Sequence, residues 1–508
     1  MRALPYFAAI FAFFVYILTA APFSLWLDAP RFVAAIKTLG VGNPPEPLYM
    51  LLAHPFVYLP FGSFVFKIQI FSAATAAITL IVIYQITLKI LDFSVSGVVL
   101  KSKDGKTKRA LAGLFSLFVL AFSYQFWSQA QNVENFILVA LIASIILYIL
   151  LVLKSRKSVF WGLCAVAVIF GLATGTNPIV ASVVPAVLIV MWSRRKYLDV
   201  PGFTVWVTIG TIAVVLIHLY IPWRAVPRPF LNYWDARTFE RVWSLSTGEG
   251  LNVYVPELGR VNGFTGSPEV FFKSSFNFFK MLFLNFTPII LPFIAAGFWY
   301  LYKRRVYYFY LLGSVVVANF VFSGLYFSGN QESWFLLSFL VFAVAAGIGF
   351  FALATDPQMF FPKGKLDLEK YLGSPKSRRA LNFLVLVAFV PIVVWFSFLN
   401  RREWAVTADY IDNLYRPIGQ EKAILFGSSD LFDSVSFYVH DVPGAHQRPN
   451  TVPVTDNLFY IFDWYRENLA RTTGISVPDG SKLKYNSAKE YSQFVADFFD
   501  KNMDKYKI

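Results

Sequence analysis

Apolar residues run in eleven long stretches between residue 5 and about residue 399, with short polar gaps between them. Each stretch holds roughly 20 residues, the length a helix needs to cross a lipid hydrocarbon core. A chain inside lipid must satisfy its own backbone hydrogen bonds, and apolar runs of this length do so as helices. The pattern predicts membrane helices over about 5–27, 64–91, 110–126, 133–153, 159–175, 178–193, 203–222, 279–302, 306–327, 334–354 and 380–399. The first stretch is preceded only by Arg2 and shows no cleavage site before Asp28, so it reads as a membrane helix and not as a leader.

Basic residues collect in every second gap. Lys101, Lys103, Lys106, Lys108 and Arg109 share one gap, and Lys154, Arg156 and Lys157 share the next but one. Arg194, Arg195 and Lys196, then Lys303, Arg304 and Arg305, then Lys363, Lys365, Lys370, Lys376, Arg378 and Arg379 keep the same phase. The positive-inside rule places these gaps and the N-terminus in the cytoplasm, and the tail after residue 400 outside. The outer segments are then Asp28 to Gly62, Ser128 to Asn132, Trp223 to Phe278, and the tail. In the first, Pro30 to Leu39 reads as a short helix with Phe32, Ile36 and Leu39 on one face, broken by Pro44, Pro45 and Pro47. Leu48 to Tyr58 is apolar but too short to span, so it is expected to lie in the interface or against the bundle.

The tail changes character. Ala423 to Phe426 reads as a buried strand running into the turn Gly427-Ser428-Ser429-Asp430, and Thr451 to Thr455 as a second strand. Leu458 to Ala470 and Ala488 to Lys505 read as amphipathic helices. The predicted fold is an all-α polytopic membrane domain of about 11 helices over 1–399, followed by a small extracytoplasmic α/β domain over 400–508.

Composition agrees: 57% of residues are hydrophobic and 15% charged. The net charge of +15 follows from the cytoplasmic gaps and does not call for a nucleic acid partner. One cysteine, Cys164, excludes an intrachain disulfide, and no Cys/His metal spacing occurs. No Gly-rich phosphate loop, Walker lysine, outer Asp-x-Asp or Ser-His-Asp order is present, which argues against nucleotide-driven chemistry. An enzyme acting on a lipid-linked substrate and a transporter both stay open. A transporter would more naturally carry buried charges at the membrane midplane.

Three segments carry candidate chemistry. Asp28 stands where the first helix leaves the membrane, a setting in which a carboxylate can act as general base. It also precedes a Pro-initiated helix, where Asp commonly caps. Arg224 and Arg228 sit among aromatics in Tyr220 to Asp235. Guanidinium groups there can hold a phosphate by bidentate bonds, or snorkel within an aromatic belt. Glu134 and Glu332 each fall at a helix start, which the helix dipole favours without any functional role. His54 and His218 lie on apolar faces and read as packed side chains.

Taken in order, these segments resemble the protein O-mannosyltransferase-like family of GT-C membrane glycosyltransferases. Its Asp-Ser-Gly-Glu after the first helix is matched by Asp28-Ala29-Pro30-Arg31, and its His-Pro-Pro-Gly-x-Pro-Leu-Tyr by Asn43-Pro44-Pro45-Glu46-Pro47-Leu48-Tyr49. Trp127-Ser128 with Glu134-Asn135-Phe136, Tyr220 to Ala225, and Pro229 to Tyr233 match further motifs. Asp430, Tyr438, Arg448-Pro449-Asn450 and Trp464-Tyr465 echo its tail pattern. The resemblance implies a GT-C-like fold and transfer of a sugar from a polyprenyl-phosphate carrier to a protein or glycan acceptor on the outer face of a bacterial inner membrane. Asp28 would be the catalytic base, and Arg224 and Arg228 would hold the lipid phosphate. Arg31, Asn43, Glu46, Glu134, Asn232 and Asp235 would line the substrate site. No cofactor is implied beyond the lipid-linked donor, and a divalent metal is optional.

The chain departs from the family pattern at four places. The family Glu is Arg31, a loop His is Asn43, a Gly is Glu46, and a second His is Asn177. Arg31 lies three residues after Asp28, so the two can meet on one helix face. Such a pair would make Asp28 a weaker base. The departures open an alternative, a non-catalytic relative serving as a binding or structural subunit of a membrane assembly.

Overall fold

The computed structural model describes residues 3–23, 28–94, 102–247, 263–264, 267–327, 331–356, 359–360, 384–419, 421–442, 450–480 and 488–507. The basic residues at 101 and 363–379, and Arg448-Pro449, lie outside the described residues. Every one of the eleven apolar stretches has a helical counterpart. Six of these helices are long and apolar enough to cross a membrane, or seven if one bent pair is a single span, among the described residues. They include Phe64–Ser94, Arg156–Ala173, Val200–Ala225, Pro268–Arg304, Val306–Leu325 and Leu336–Thr355. Four more apolar helices, Leu4–Thr19, Phe136–Val152, Pro178–Ser193 and Val385–Leu399, have 10–17 residues. Length and composition therefore support six or seven crossings.

Two boundaries differ from the sequence reading. The first helix ends at Thr19 and not near residue 27, because Ala20 turns to an extended backbone ahead of Pro22. The third stretch is two helices, Lys103–Ala121 and Tyr124–Ala130, bent by 69° at Phe122-Ser123. Ser128 therefore sits on a short helix and not in a turn. The bend places Gln125 and Gln129 where both donate to the Ser333 hydroxyl, at 2.7 and 2.8 Å.

Leu336–Thr355 is the most enclosed of the long helices. It packs closely on Pro268–Arg304 because both helices carry glycine at the crossing. A Cβ at Gly297 would overlap the Ala345 carbonyl, and one at Gly349 would overlap the Phe293 carbonyl. The longer helix kinks at Thr287, where φ is +53°, just before Pro288, whose ring cannot continue a straight hydrogen-bond ladder.

The gaps between helices sort onto two rims. One rim ties the basic gaps together: Arg109 pairs with Asp92, Arg304 with Asp356, and Arg156 with Asp199. Lys108 donates to the Ala354 carbonyl at 2.9 Å. The other rim gathers the Asp28–Gly62 segment, the 123–135 bend, residues 220–247, Gln331–Trp334 and everything described after Leu399. Arg401 belongs to it, with Nη2 donating to the Ser128 hydroxyl at 2.9 Å and its amide to the Thr19 carbonyl at 2.8 Å. This two-sided sorting is the alternation that the lysine and arginine phase predicts.

After Leu399 the chain mixes strands and helices. Ala423–Gly427 and Thr451–Thr455 form a parallel pair in register Ala423 to Thr451 through Gly427 to Thr455. Helices Asp430–Asp441, Asp463–Thr473 and Ala488–Asp500 surround them. Both expected strands are present. The region is not detached from the bundle: Asp430–Asp441 packs along Ala29–Thr38, the short helix after Asp28.

Candidate functional site

The site is assembled where the first loop meets the chain after Tyr220. Leu39 takes a left-handed conformation, φ +53°, and Gly40 follows, where a Cβ would stand 2.7 Å from the Leu231 carbonyl. That close approach lets the Val41 amide donate to the Leu231 carbonyl at 3.0 Å and the Tyr233 amide to the Val41 carbonyl at 2.9 Å. Asn232 and Asp235 are thereby fixed beside the first loop. Arg224 secures the same junction. Its Nε donates to the Leu39 carbonyl at 2.7 Å and its Nη2 to the Thr38 carbonyl at 2.8 Å. A cation on the carbonyl end of Ala29–Thr38 also complements the helix dipole.

Asp28 precedes Ala29–Thr38, but its side chain makes no capping bond to that helix. It pairs instead with Arg31, as the three-residue spacing suggests. The Asp28 side chain keeps 41% of its surface exposed, whereas that of Arg31 keeps 10%. Arg31 has a second carboxylate partner that no local pattern announced. Asp433, on Asp430–Asp441, lies 3.0 Å from Arg31 Nη1. The Tyr233 hydroxyl accepts from Arg31 Nη1 at 3.1 Å and donates to Asp433. The Arg31 amide donates to the Ser434 hydroxyl at 3.0 Å, and Thr455 Oγ1 donates to Asp433 at 3.3 Å. Burial works against the Arg31 charge, but Tyr233, Asp28 and Asp433 outweigh it and hold the guanidinium above its ordinary value. Tyr233 is pushed up by burial and by Asp433.

Behind Asp28 lie two further carboxyls. Glu46 is 2% exposed and accepts from the Asn135 amide through Oε1, while Oε2 has no partner. Burial, reinforced by Asp28, pushes its pKa up to about 8, against the pull of Asn135 and Arg31. Glu134 stands in the turn before Phe136–Val152, and burial with Asp28 and Glu46 raises it well above the carboxylate range. Its position at a helix start is therefore not a solvated dipole contact. Asn43 is half-buried and joined to Pro44 by a cis peptide bond. Arg31 Nε and Asn232 Oδ1 are buried without partners. Orphaned polar atoms of this kind are rare in folded proteins and mark places that a ligand or water completes.

A second charged group adjoins the first through Asn232, whose amide donates to Asp235 at 3.1 Å. Asp235 is buried and faces three half-exposed arginines: Arg237 at 2.6 Å, Arg241 at 3.3 Å and Arg228 at 4.0 Å. Three cations on one carboxylate leave a net positive surface. Arg237 and Arg241 were not singled out from the sequence, although they follow Asp235 by two and six residues. The helix that carries Arg241, Phe239–Thr247, exposes Phe239 and Trp243 on another face, as an interfacial helix would.

Other sequence candidates fall outside this assembly. His54 Nδ1 contacts the Ile36 carbonyl at 2.6 Å and His218 Nδ1 the Val214 carbonyl at 2.9 Å, so both are packed. Glu332 accepts from Asn277 at 3.4 Å. Among the described residues, no group of three or more His, Cys, Asp or Glu side chains is arranged to hold a metal ion. An apolar groove of about 570 Å³ lies between Arg156–Ala173 and Val200–His218, lined by Phe160, Trp161, Cys164, Val168, Val205 and Ile209, and does not include Asp28 or Arg224.

Residues 28–200 match the model of the Protein O-mannosyl-transferase TMEM260 N-terminal domain. The match begins at Asp28 itself and covers Arg31, Asn43, Glu46 and Glu134. Structures of ArnT from Cupriavidus metallidurans are similar over most of the chain. The apo form has a TM-score of 0.54 at 14% identity, covering 86% of this chain and 84% of ArnT. The form bound to undecaprenyl phosphate has a TM-score of 0.55 at 12% identity, covering 87% and 85%. The chain has an ArnT-like fold. The family match covers residues 28–200, about a third of the chain, and the similarity to ArnT shows the fold. None of the curated proteins compared with the chain matches it significantly in sequence. The similarity covers 86% of this chain, so it extends well past residue 200.

Proposed function

We propose that this protein transfers a sugar, mannose in the simplest case, from a polyprenyl-phosphate carrier to a protein or glycan hydroxyl. The reaction takes place at the rim that holds Asp28, on the outer face of a bacterial inner membrane. The N-terminus is cytoplasmic and the region after Leu399 is extracytoplasmic. The observation that carries this reading is Asp28: an accessible carboxylate backed by a buried, partly unsatisfied polar cluster and set beside an arginine surface. Asp28 takes the proton from the acceptor hydroxyl as its oxygen bonds to the anomeric carbon. The bond from that carbon to the phosphate oxygen breaks, and the electron pair leaves with the polyprenyl phosphate. Cations already in place stabilise that charge as it develops.

Arg228, Arg237 and Arg241 are better disposed for the phosphate than Arg224: they set three half-exposed cations around one carboxylate, whereas Arg224 is tied to the Thr38 and Leu39 carbonyls. A structure of ArnT, similar in fold, is bound to undecaprenyl phosphate, which supports a polyprenyl-phosphate donor here. No metal is required in this scheme.

One observation favours the alternative, a non-catalytic subunit of a membrane assembly: the ion pair that Arg31 makes with Asp28. A single assay separates the two. Purified protein is given a radiolabelled polyprenyl-phosphate sugar and acceptor peptides, and Asp28→Asn is compared with wild type. Loss of a general base lowers transfer by about 100- to 10,000-fold. Normal transfer by a folded Asp28→Asn protein removes Asp28 from the mechanism. A wild type that binds the donor without turnover establishes the alternative.

A further inference from the structure

We infer that Asp433, from the region after Leu399, is a positioning residue that keeps Asp28 competent as a base by taking over part of the charge of Arg31. The inference rests on the assignment of Asp28 as the base. Arg31 is a buried cation with two carboxylate partners of unequal burial. The Asp433 side chain is 6% exposed and that of Asp28 is 41% exposed. Asp28 is the nearer partner and Asp433 the better enclosed one, where water competes least with the pairing. Asp433 is also the better-supported partner, with Tyr233 and Thr455 donating to it. The backbone around it is fixed as well, since the Ser434 hydroxyl accepts from the Arg31 amide.

Two carboxylates, Asp28 and Asp433, thus face the one guanidinium of Arg31, and Asp28 is the accessible one. Glu46 and Glu134 add no competing cation, and the phenol of Tyr233 is neutral. Were Asp433 uncharged, Asp28 would be the sole counter-ion of a buried guanidinium. Its carboxylate would be held in the ionised, paired form that accepts a proton least readily. The region after Leu399 then does more than cover the site: it sets the strength of the base.

The test is the pH profile of transfer by the full-length protein in lipid nanodiscs. Asp433→Asn keeps the size of the side chain and one acceptor oxygen for Arg31 and Tyr233, and removes its charge. Its acid limb is expected to move down by about one pH unit, since freeing one opposite charge beside a carboxylate shifts it by about that much. Transfer at neutral pH is expected to fall several-fold, because a weaker base accepts the proton less readily. Asp433→Glu, which keeps the charge, is expected to retain the wild-type limb. A purely structural role would lower the rate without moving the limb.

Arg31→Gln and Arg31→Gln/Asp433→Asn serve if Asp433→Asn does not fold, since the double variant leaves no buried charge orphaned. The two are expected to share one acid limb, because Asp433 acts through Arg31. A further shift of a full unit on adding Asp433→Asn to Arg31→Gln overturns the inference. It is equally overturned if wild type is active, Asp28→Asn is dead, and the limb of Asp433→Asn is unmoved; that result leaves the functional reading standing. Full transfer by Asp28→Asn overturns both.

Discussion

Glu46→Gln is expected to stabilise the protein at alkaline pH and to leave it unchanged at acid pH. Glu46 is enclosed, and burial lifts its pKa from an ordinary 4.5 to about 8. The folded protein therefore holds a proton that the unfolded chain releases. Folding takes up that proton between about pH 4.5 and 8, so stability is full below this window and declines as pH rises through it. Each pKa unit is worth about 1.4 kcal/mol, which puts the loss near 3 kcal/mol at pH 7 and near 5 kcal/mol once the window is crossed. Gln keeps the oxygen that accepts from Asn135 and never ionises. Thermal unfolding of both proteins in nanodiscs, followed by tryptophan fluorescence from pH 5 to 8.5, checks this. The curves are expected to coincide near pH 5 and to separate by several degrees at pH 8. Glu134, raised by the same causes, leaves part of the slope, which Glu46→Gln/Glu134→Gln is expected to flatten. Parallel curves, or a variant that melts below wild type at pH 8, would refute the buried-proton argument.

Arg224→Ala removes two charged hydrogen bonds from the end of Ala29–Thr38 and is expected to cost about 2–4 kcal/mol of stability, read as a lower melting temperature. Arg224→Lys recovers part of it, since lysine cannot reach both carbonyls in a fork. Arg237→Ala/Arg241→Ala is expected to weaken binding of a polyprenyl phosphate at least about ten-fold and to spare a neutral polyprenol. Equal loss for both lipids in a binding titration would assign these arginines to packing. Cysteine introduced at Glu421, whose side chain is 62% exposed, is expected to react with an impermeant thiol reagent in spheroplasts, over a background in which the native Cys164 is buried. Failure to label would reverse the orientation.

What could be read in advance was local. Asp28 and Arg31 pair because three residues of helix bring them together, and Leu48 to Tyr58 lies short of a span because the apolar run is brief and begins at Pro47. Ala423 to Phe426 and Thr451 to Thr455 became strands because both are short β-prone runs closed by turn residues. What escaped the sequence was long-range. Arg224 reaches a carbonyl 185 residues away, and Asp433 reaches a guanidinium 402 residues away. Glu134 carries a favourable helix-start signal that hides its burial, since periodicity does not reveal what packs against a turn. The first helix was read too long because residues 20–27 are apolar, although Pro22 ends helical hydrogen bonding.

The link between Arg31 and Asp433 also fixes the order of events during synthesis. With 402 residues between them, a ribosome working at about 5–20 residues per second makes Arg31 tens of seconds before its deeper counter-ion exists. Throughout that interval Asp28 is the carboxylate at hand, already in place three residues away. The early pair acts as a placeholder that lets a cationic helix settle against a nascent apolar bundle. The region after Leu399 then relieves it and completes the site.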